Sequence, residues 1–398
     1  PWIAVLLIPG VGQAEWEFDP ALRVAADFDD NAGLSHLTAQ EDSIDGYIGE
    51  LDFEALFRSE TGIFSINPII RTRAYNSDTN RDSDDHFLNF RMSRDGQSNT
   101  FGLRGNYSRE SVRTAELADA ELDADLDPDE IEDDDSSLIS TRNRREKFRI
   151  VPSWSYRFSD VSTWRADVGF LTVDYVDDDP EQGSNLVDYT DIRGRLSYQR
   201  DISARNIGIL SLTARNYQTD QLGGDVNGYG VSAGFNRAMT ETTTFRALIG
   251  VEETERVNDS NEPSFVTDIS LVRRQETTQL LLQYRQRVSA SGRGQLVERN
   301  EVNLRFTRAL NDKFSAGLGA RAYQTTAFGN ADIKTNYVQL HAQLLWQIST
   351  AFSMRANYRH TVIDREINGE SANSNRFTLW FTYRPNSQPN ITFQPQRN

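Results

Sequence analysis

Arginine is the side chain on which this sequence concentrates its chemistry. Of 42 basic residues, 39 are arginine, and lysine occurs only at positions 147, 313 and 334. A guanidinium can hold a carboxylate or a phosphate through two parallel hydrogen bonds, which an ammonium cannot do. Several arginines stand two residues apart, as Arg71 and Arg73 or Arg193 and Arg195 do. That spacing puts both side chains on one face of a strand. The same parity puts Arg104, Arg165, Arg305, Arg321 and Arg355 on the polar faces of their segments. Together these nine are the candidate solute-contacting set. Arg23, Arg91, Arg149, Arg157, Arg215, Arg246, Arg285, Arg287, Arg359 and Arg376 share the parity. The polar faces also carry acids, namely Glu17, Asp19, Asp27, Glu50, Asp52, Glu54, Asp167, Glu252 and Asp268. Two readings follow. The arginines form a wall that handles anions, or arginine–carboxylate pairs brace that wall, with GC-rich codon usage favouring arginine over lysine.

A second concentration of charge has the opposite sign. From Glu116 to Asp135 there are twelve acids and no basic residue. The alternation of Asp123, Asp125, Asp127 and Asp129 copies the start of a calcium loop. Pro128 stands where such a loop needs glycine, and Asp134 replaces the closing glutamate, so no metal site is assigned. Three readings stay open for this segment: loose binding of divalent cations, disorder from like-charge repulsion, or a constriction that folds into the arginine-lined space. The four histidines, at 36, 86, 341 and 360, give catalysis little to stand on. An enzyme acting on lipid would want an outward histidine beside a serine, and His360 with Ser371 or Ser374 is the nearest approach to that. No motif marks either serine as a nucleophile, so no catalytic residue is assigned. No nucleotide motif is present, and no cofactor is expected. The absence of cysteine excludes thiolate chemistry, and a net charge of −17 argues against a nucleic-acid partner.

These residues are positioned by one repeating element. Only 37% of the chain is hydrophobic, yet 10% is aromatic, a balance that suits a large β-barrel with a wet interior. The chain has no run of eighteen apolar residues, so spanning helices are excluded. Segments of ten to fourteen residues alternate with period two. Val338, Leu340, Ala342, Leu344 and Trp346 share one face, for example, while Tyr337, Gln339, His341 and Gln343 share the other. Connections alternate between short, as at Asn311-Asp312 and Ser349-Thr350, and long or polar, as at 29–40, 111–145, 289–296 and 325–332. Eight short and nine long connections imply about eighteen strands, with sixteen as the alternative. The expected fold is all-β: a transmembrane, antiparallel, up-and-down β-barrel with short periplasmic turns and long extracellular loops. Residues 1–14, with the apolar run Trp2 to Ile8, read as the remnant of a secretory signal peptide. The barrel is expected over 15–385, with a polar C-terminal tail at 386–398. Aromatics such as Trp16, Phe57, Trp154, Trp346 and Phe381 cluster near the short turns, where a headgroup layer would receive them.

The first strand ends in Phe28-Asp29-Asp30-Asn31, an acidic first loop follows, and later strands read like Arg71-Thr72-Arg73-Ala74-Tyr75-Asn76. In these features the mature chain resembles porin-like β-barrels encoded beside exopolysaccharide and PEP-CTERM systems in Gram-negative bacteria. The resemblance implies an outer-membrane barrel that passes or accompanies a secreted polysaccharide, with export components as partners. It brings no catalytic or ligand residues. Phe377 to Tyr383 resembles the terminal strand read by the barrel-assembly machinery, although a polar stretch to Asn398 follows it. The other expected partners are outer-membrane lipid and lipopolysaccharide. The leading expectation is passage of hydrophilic, anionic solutes or polysaccharide through an arginine-rich lumen. The alternatives are a surface structural or adhesion barrel closed by its acidic loop, and a lipid-active enzyme of the outer membrane.

Overall fold

A computed structural model describes residues 15–36, 42–76, 82–112, 143–176, 186–220, 225–256, 262–327, 330–365 and 370–385. Residues 1–14, the acidic run with Asp123, Asp125, Asp127 and Asp129, and the tail 386–398 lie outside them. The described residues form eighteen strands. The first nine are β1 (Glu15–Asp29), β2 (Ile44–Ser59), β3 (Gly62–Asn76), β4 (Ser83–Asp95), β5 (Asn99–Ser111), β6 (Arg144–Ser159), β7 (Ser162–Val176), β8 (Tyr189–Ser203) and β9 (Asn206–Thr219). The rest are β10 (Val226–Thr240), β11 (Thr243–Arg256), β12 (Glu262–Arg274), β13 (Thr278–Ser291), β14 (Gln295–Ala309), β15 (Phe314–Ala327), β16 (Asn330–Gln347), β17 (Phe352–Arg365) and β18 (Glu370–Tyr383). Each strand pairs antiparallel with the next, and β18 pairs back onto β1 from Leu22↔Tyr383 to Asp29↔Arg376. The sheet is a closed up-and-down barrel, and closure leaves it no free edge strand.

Period-two alternation decides what faces where. Leu51, Leu212, Ile249, Phe265, Leu318 and Leu340 point outward and are half or more exposed. An apolar outer surface without a protein partner is stable only in an apolar surrounding. Aromatic rings gather outside near the short turns: Trp16 lies 5.1 Å from Phe57, Phe314 stacks on Trp346 at 5.7 Å, and Phe352 lies 4.9 Å from Tyr383. Buried residues concentrate on the opposite, lumen-facing side, and most are polar or charged. The core is therefore a layer of ion clusters with small apolar patches between them.

The connections differ from expectation in two places. The segment 289–296 is not a long loop: β13 continues to Ser291 and β14 begins at Gln295, leaving three residues between them. Gly294, at φ 71°, turns the chain there in a backbone region that residues with a Cβ rarely adopt. In the same way β15 and β16 reach Ala327 and Asn330, deep into the expected loop 325–332. Paired backbone, rather than side-chain alternation, extends these strands. Their residues are too small and polar to show a period.

Candidate functional site: an arginine-lined lumen

Antiparallel register brings arginines from neighbouring strands onto shared carboxylates. Glu50 on β2 receives Arg23 Nη1 from β1 and Arg71 Nε from β3, each at 2.6 Å. Asp52, two residues along, receives Arg23 Nη2 at 2.7 Å and Asn67 Nδ2 at 2.6 Å. Arg71 also sits over the Phe87 ring, 5.2 Å from its centroid. Asp27 accepts both Arg376 Nε and Nη2, at 2.8 and 2.9 Å, along with the Tyr75 and Thr378 hydroxyls. Arg73 pairs with Asp85, and both are buried.

Two clusters lie farther round the wall. Asp191 on β8 accepts Arg215 Nε and Nη2, both at 2.8 Å, and Arg193 Nε at 3.0 Å. Glu301 on β14 is approached by Arg299 and Arg321, each at 2.9 Å, and by Arg287 at 3.6 Å. Arg299 and Glu301 are each only 1% exposed. Arg299 lies 3.9 Å from the centroid of the Tyr323 ring, which stacks on Tyr337 at 4.6 Å. A charge so far from water is held only with its partners in place.

The end of the lumen toward the long loops carries an inner layer. Leu34, from the connection after β1, packs with Tyr323, Tyr337, Ile363 and Ala372 on the lumen faces of β15 to β18. On the other side, the tip of the β13–β14 hairpin leaves the wall. Val288, Ala290 and Leu296 pack there with Val173, Tyr189, Tyr217 and Val226, lumen residues of β7 to β10. The hairpin carries Arg287 and Arg299 at its base, and Arg299 lies on Tyr323, so contacts run from Leu34 through Tyr323 and Arg299 to the hairpin. The Phe28-Asp29-Asp30-Asn31 motif anchors this layer's other end. Asp29 accepts Ser374 Oγ at 2.7 Å, Asp30 accepts the Asn375 backbone N and Nδ2 at 2.7 Å each, and Asn31 donates to the Asn373 carbonyl at 2.9 Å.

The nine candidate arginines thus divide. Arg73, Arg305 and Arg321 are buried in the wall. Arg71 and Arg193 are held by Glu50 and Asp191. Arg195 reaches Asp167 at 2.9 Å yet keeps a side chain 40% exposed. Arg165 is exposed, and Arg104 and Arg355 are half-buried. Arg91 and Arg157, outside the nine, are also exposed on this face. The carboxylates Asp85, Glu110, Asp191 and Glu301 were not among the acids expected on the wall. For two of them the signal was an arginine at period-two spacing, Arg193 beside Asp191 and Arg299 beside Glu301; Asp85 and Glu110 have no such neighbour. A cavity of about 290 Å³ opens beside Asp52, Asn67, Asn89 and Arg91. Among the described residues, no group of three or more His, Asp and Glu is placed to hold a metal ion. His360 Nδ1 lies 2.9 Å from Asn375 Oδ1 with outward parity, whereas Ser374 points to the lumen and bonds Asp29. Ser371 lies beyond Asn375 along β18, opposite Asp364 in register.

No family model matches the chain, and no curated protein matches it. Solved structures similar to it include OccAB4 of Acinetobacter baumannii, at 10% identity and TM-score 0.47, over 93% of this chain and 98% of that one. A mutant of the ferric enterobactin receptor PfeA of Pseudomonas aeruginosa is similar at 8% identity and TM-score 0.47, over 92% and 80%. An outer-membrane protein of Vibrio cholerae, OmpT lacking loop L8, is similar at 9% identity and TM-score 0.39, over 93% and 99%.

Proposed function

We propose that this protein is an outer-membrane channel that passes small hydrophilic anions. The observation that carries the reading is the pairing of two surfaces on one sheet. Outside, an apolar band with aromatic rings suits lipid; inside, Arg91, Arg157, Arg165 and Arg195 remain open to water. Fixed cations in a confined space raise the local anion concentration and act on a passing ion at short range. The net charge of −17 would by itself favour cations, so the sign of selectivity tests the wall directly. In planar bilayers under a salt gradient, the wild-type channel should show an anion-preferring reversal potential. Arg165→Gln with Arg195→Gln should move that potential toward zero. A cation-preferring channel that ignores the double variant would refute the arginine-lined path.

A second reading is a surface structural barrel, favoured by the inner packing of Leu34 with Tyr323 and of the β13–β14 hairpin with β7 to β10 at the long-loop end. A polysaccharide chain would have to displace that packing, whereas small solutes need only a gap beside it. Absence of any single-channel current would select this second reading.

A further inference from the structure

We propose that the β13–β14 hairpin sets the width of the pore at its long-loop end, and that Asp191 latches it inward through Arg193 and Arg215. The inference deepens the channel reading and rests on it for the word pore.

The hairpin is detached from the wall along one edge. Pairing between β12 and β13 stops at Thr267↔Gln286. Pairing between β13 and β14 continues for five more residue pairs, from Arg287↔Arg299 to Ser291↔Gln295. On the other edge, β14 keeps β15 only as far as Val297↔Ala327. The tip is therefore a two-stranded ribbon, and such a ribbon is marginal in water without a surface to rest on. Its turn is tight: Gly294 N donates to the Ser291 carbonyl at 3.0 Å.

The surface it rests on is specific. Val187 N donates to the Gly292 carbonyl at 2.8 Å. The Val288 carbonyl accepts Arg215 Nη1 at 3.2 Å and Arg193 Nη2 at 3.3 Å. Neither guanidinium would hold that direction alone. Asp191 takes Arg215 by Nε and Nη2, which leaves Nη1 aimed at the hairpin, and takes Arg193 by Nε, which leaves Nη2. One carboxylate thus orients two donors onto one carbonyl. The contact also has an apolar part, in which Val288, Ala290 and Leu296 are buried against Val173, Tyr189, Tyr217 and Val226. The polar latch adds direction to it, because it fixes which carbonyl of the hairpin meets the wall.

The chain has no cysteine, so a disulfide reports on this contact alone. Val187→Cys with Gly292→Cys puts two thiols at residues joined by a backbone hydrogen bond, within bridging range. In folded protein in detergent, verified by the shift between unheated and boiled forms on a gel, the bridge should form readily. Adding Asp191→Asn should slow its formation several-fold. Unbridged, Asp191→Asn should raise single-channel conductance about twofold or make it flicker; with the bridge closed, wild-type conductance should return. Equal bridging rates with and without Asp191→Asn overturn the latch. Slower bridging with a conductance that the bridge does not restore overturns the role in setting pore width. If bridging slows but no variant conducts, the channel reading fails and the latch stands as part of an outer closure.

Discussion

The two ends of the lumen use the same side chain for opposite purposes. Toward the long loops, Arg73, Arg299 and Arg321 are buried against Asp85 and Glu301, and Arg299 lies on Tyr323. Away from that layer, Arg157 and Arg165 stand in water, and Arg195 bonds Asp167 while its side chain stays 40% exposed. Residue type therefore says little about role here; depth decides. A buried arginine is fixed by the cost of separating it from its carboxylate, while an exposed one is within reach of a solute.

The sharpest way to break this comparison is to remove one buried carboxylate. Glu301→Gln leaves Arg287, Arg299 and Arg321 around a neutral amide, and should destabilise the barrel by roughly 3–5 kcal/mol, as loss of one partner of a buried pair does. The readout is the urea midpoint of unfolding in detergent or lipid. Glu54→Gln, an exposed carboxylate on the same wall, should shift it by no more than about 0.5 kcal/mol. Equal losses would mean that burial does not separate the two regions.

The next largest effect sets the two faces of one strand against each other. Leu212 is 54% exposed on the outer face of β9, and its neighbour Thr213 faces the lumen. Leu212→Arg should cost about 2–4 kcal/mol if it lies near the bilayer midplane. Thr213→Arg should be tolerated, because its side chain is on the face turned to the wet lumen and an arginine there can extend into water. Folding yield into vesicles compares them, and similar damage from both would contradict the assigned faces.

The smallest effect should come from the seam. Asp30→Ala removes two bonds to Asn375 at the end of the β1–β18 pairing, at a cost of about 1–2 kcal/mol. An unchanged midpoint would show that the seam does not depend on them.

The barrel was legible in the sequence because its signal is redundant. Most of the barrel repeats the same period, and short turns such as Ser59 to Gly62 punctuate it. The arginine faces were legible for the same reason, since parity alone assigns them. The inner layer was not. Ser289-Ala290-Ser291-Gly292-Arg293-Gly294 has the composition of a loop, and only pairing between β13 and β14 makes strand of its first three residues and confines the turn to the last three. Nor does parity reveal depth: Arg165 and Arg321 share a face assignment yet differ in exposure, because the latter lies beside Glu301 and Tyr323. Phe28-Asp29-Asp30-Asn31 was legible as a motif, but its bonds join residues that only the closed sheet brings together.

Those bonds bear on the order in which the molecule is made. Asp30 and Asn375 are 345 positions apart, and the seam they finish has eight register pairs. Among the described residues, no other strand pairing spans the chain from one side to the other, so β1 must wait until β18 has been made before the two can meet. Loop entropy adds little to that wait, since its cost grows only with the logarithm of length. What the delay does create is a period in which two strand edges face outward with their backbone groups unmet. Asp29, Asp30 and Asn31 supply a polar clasp at one end of that edge. Once it catches, the remaining pairs can close in sequence like a zipper, in register from the first tooth.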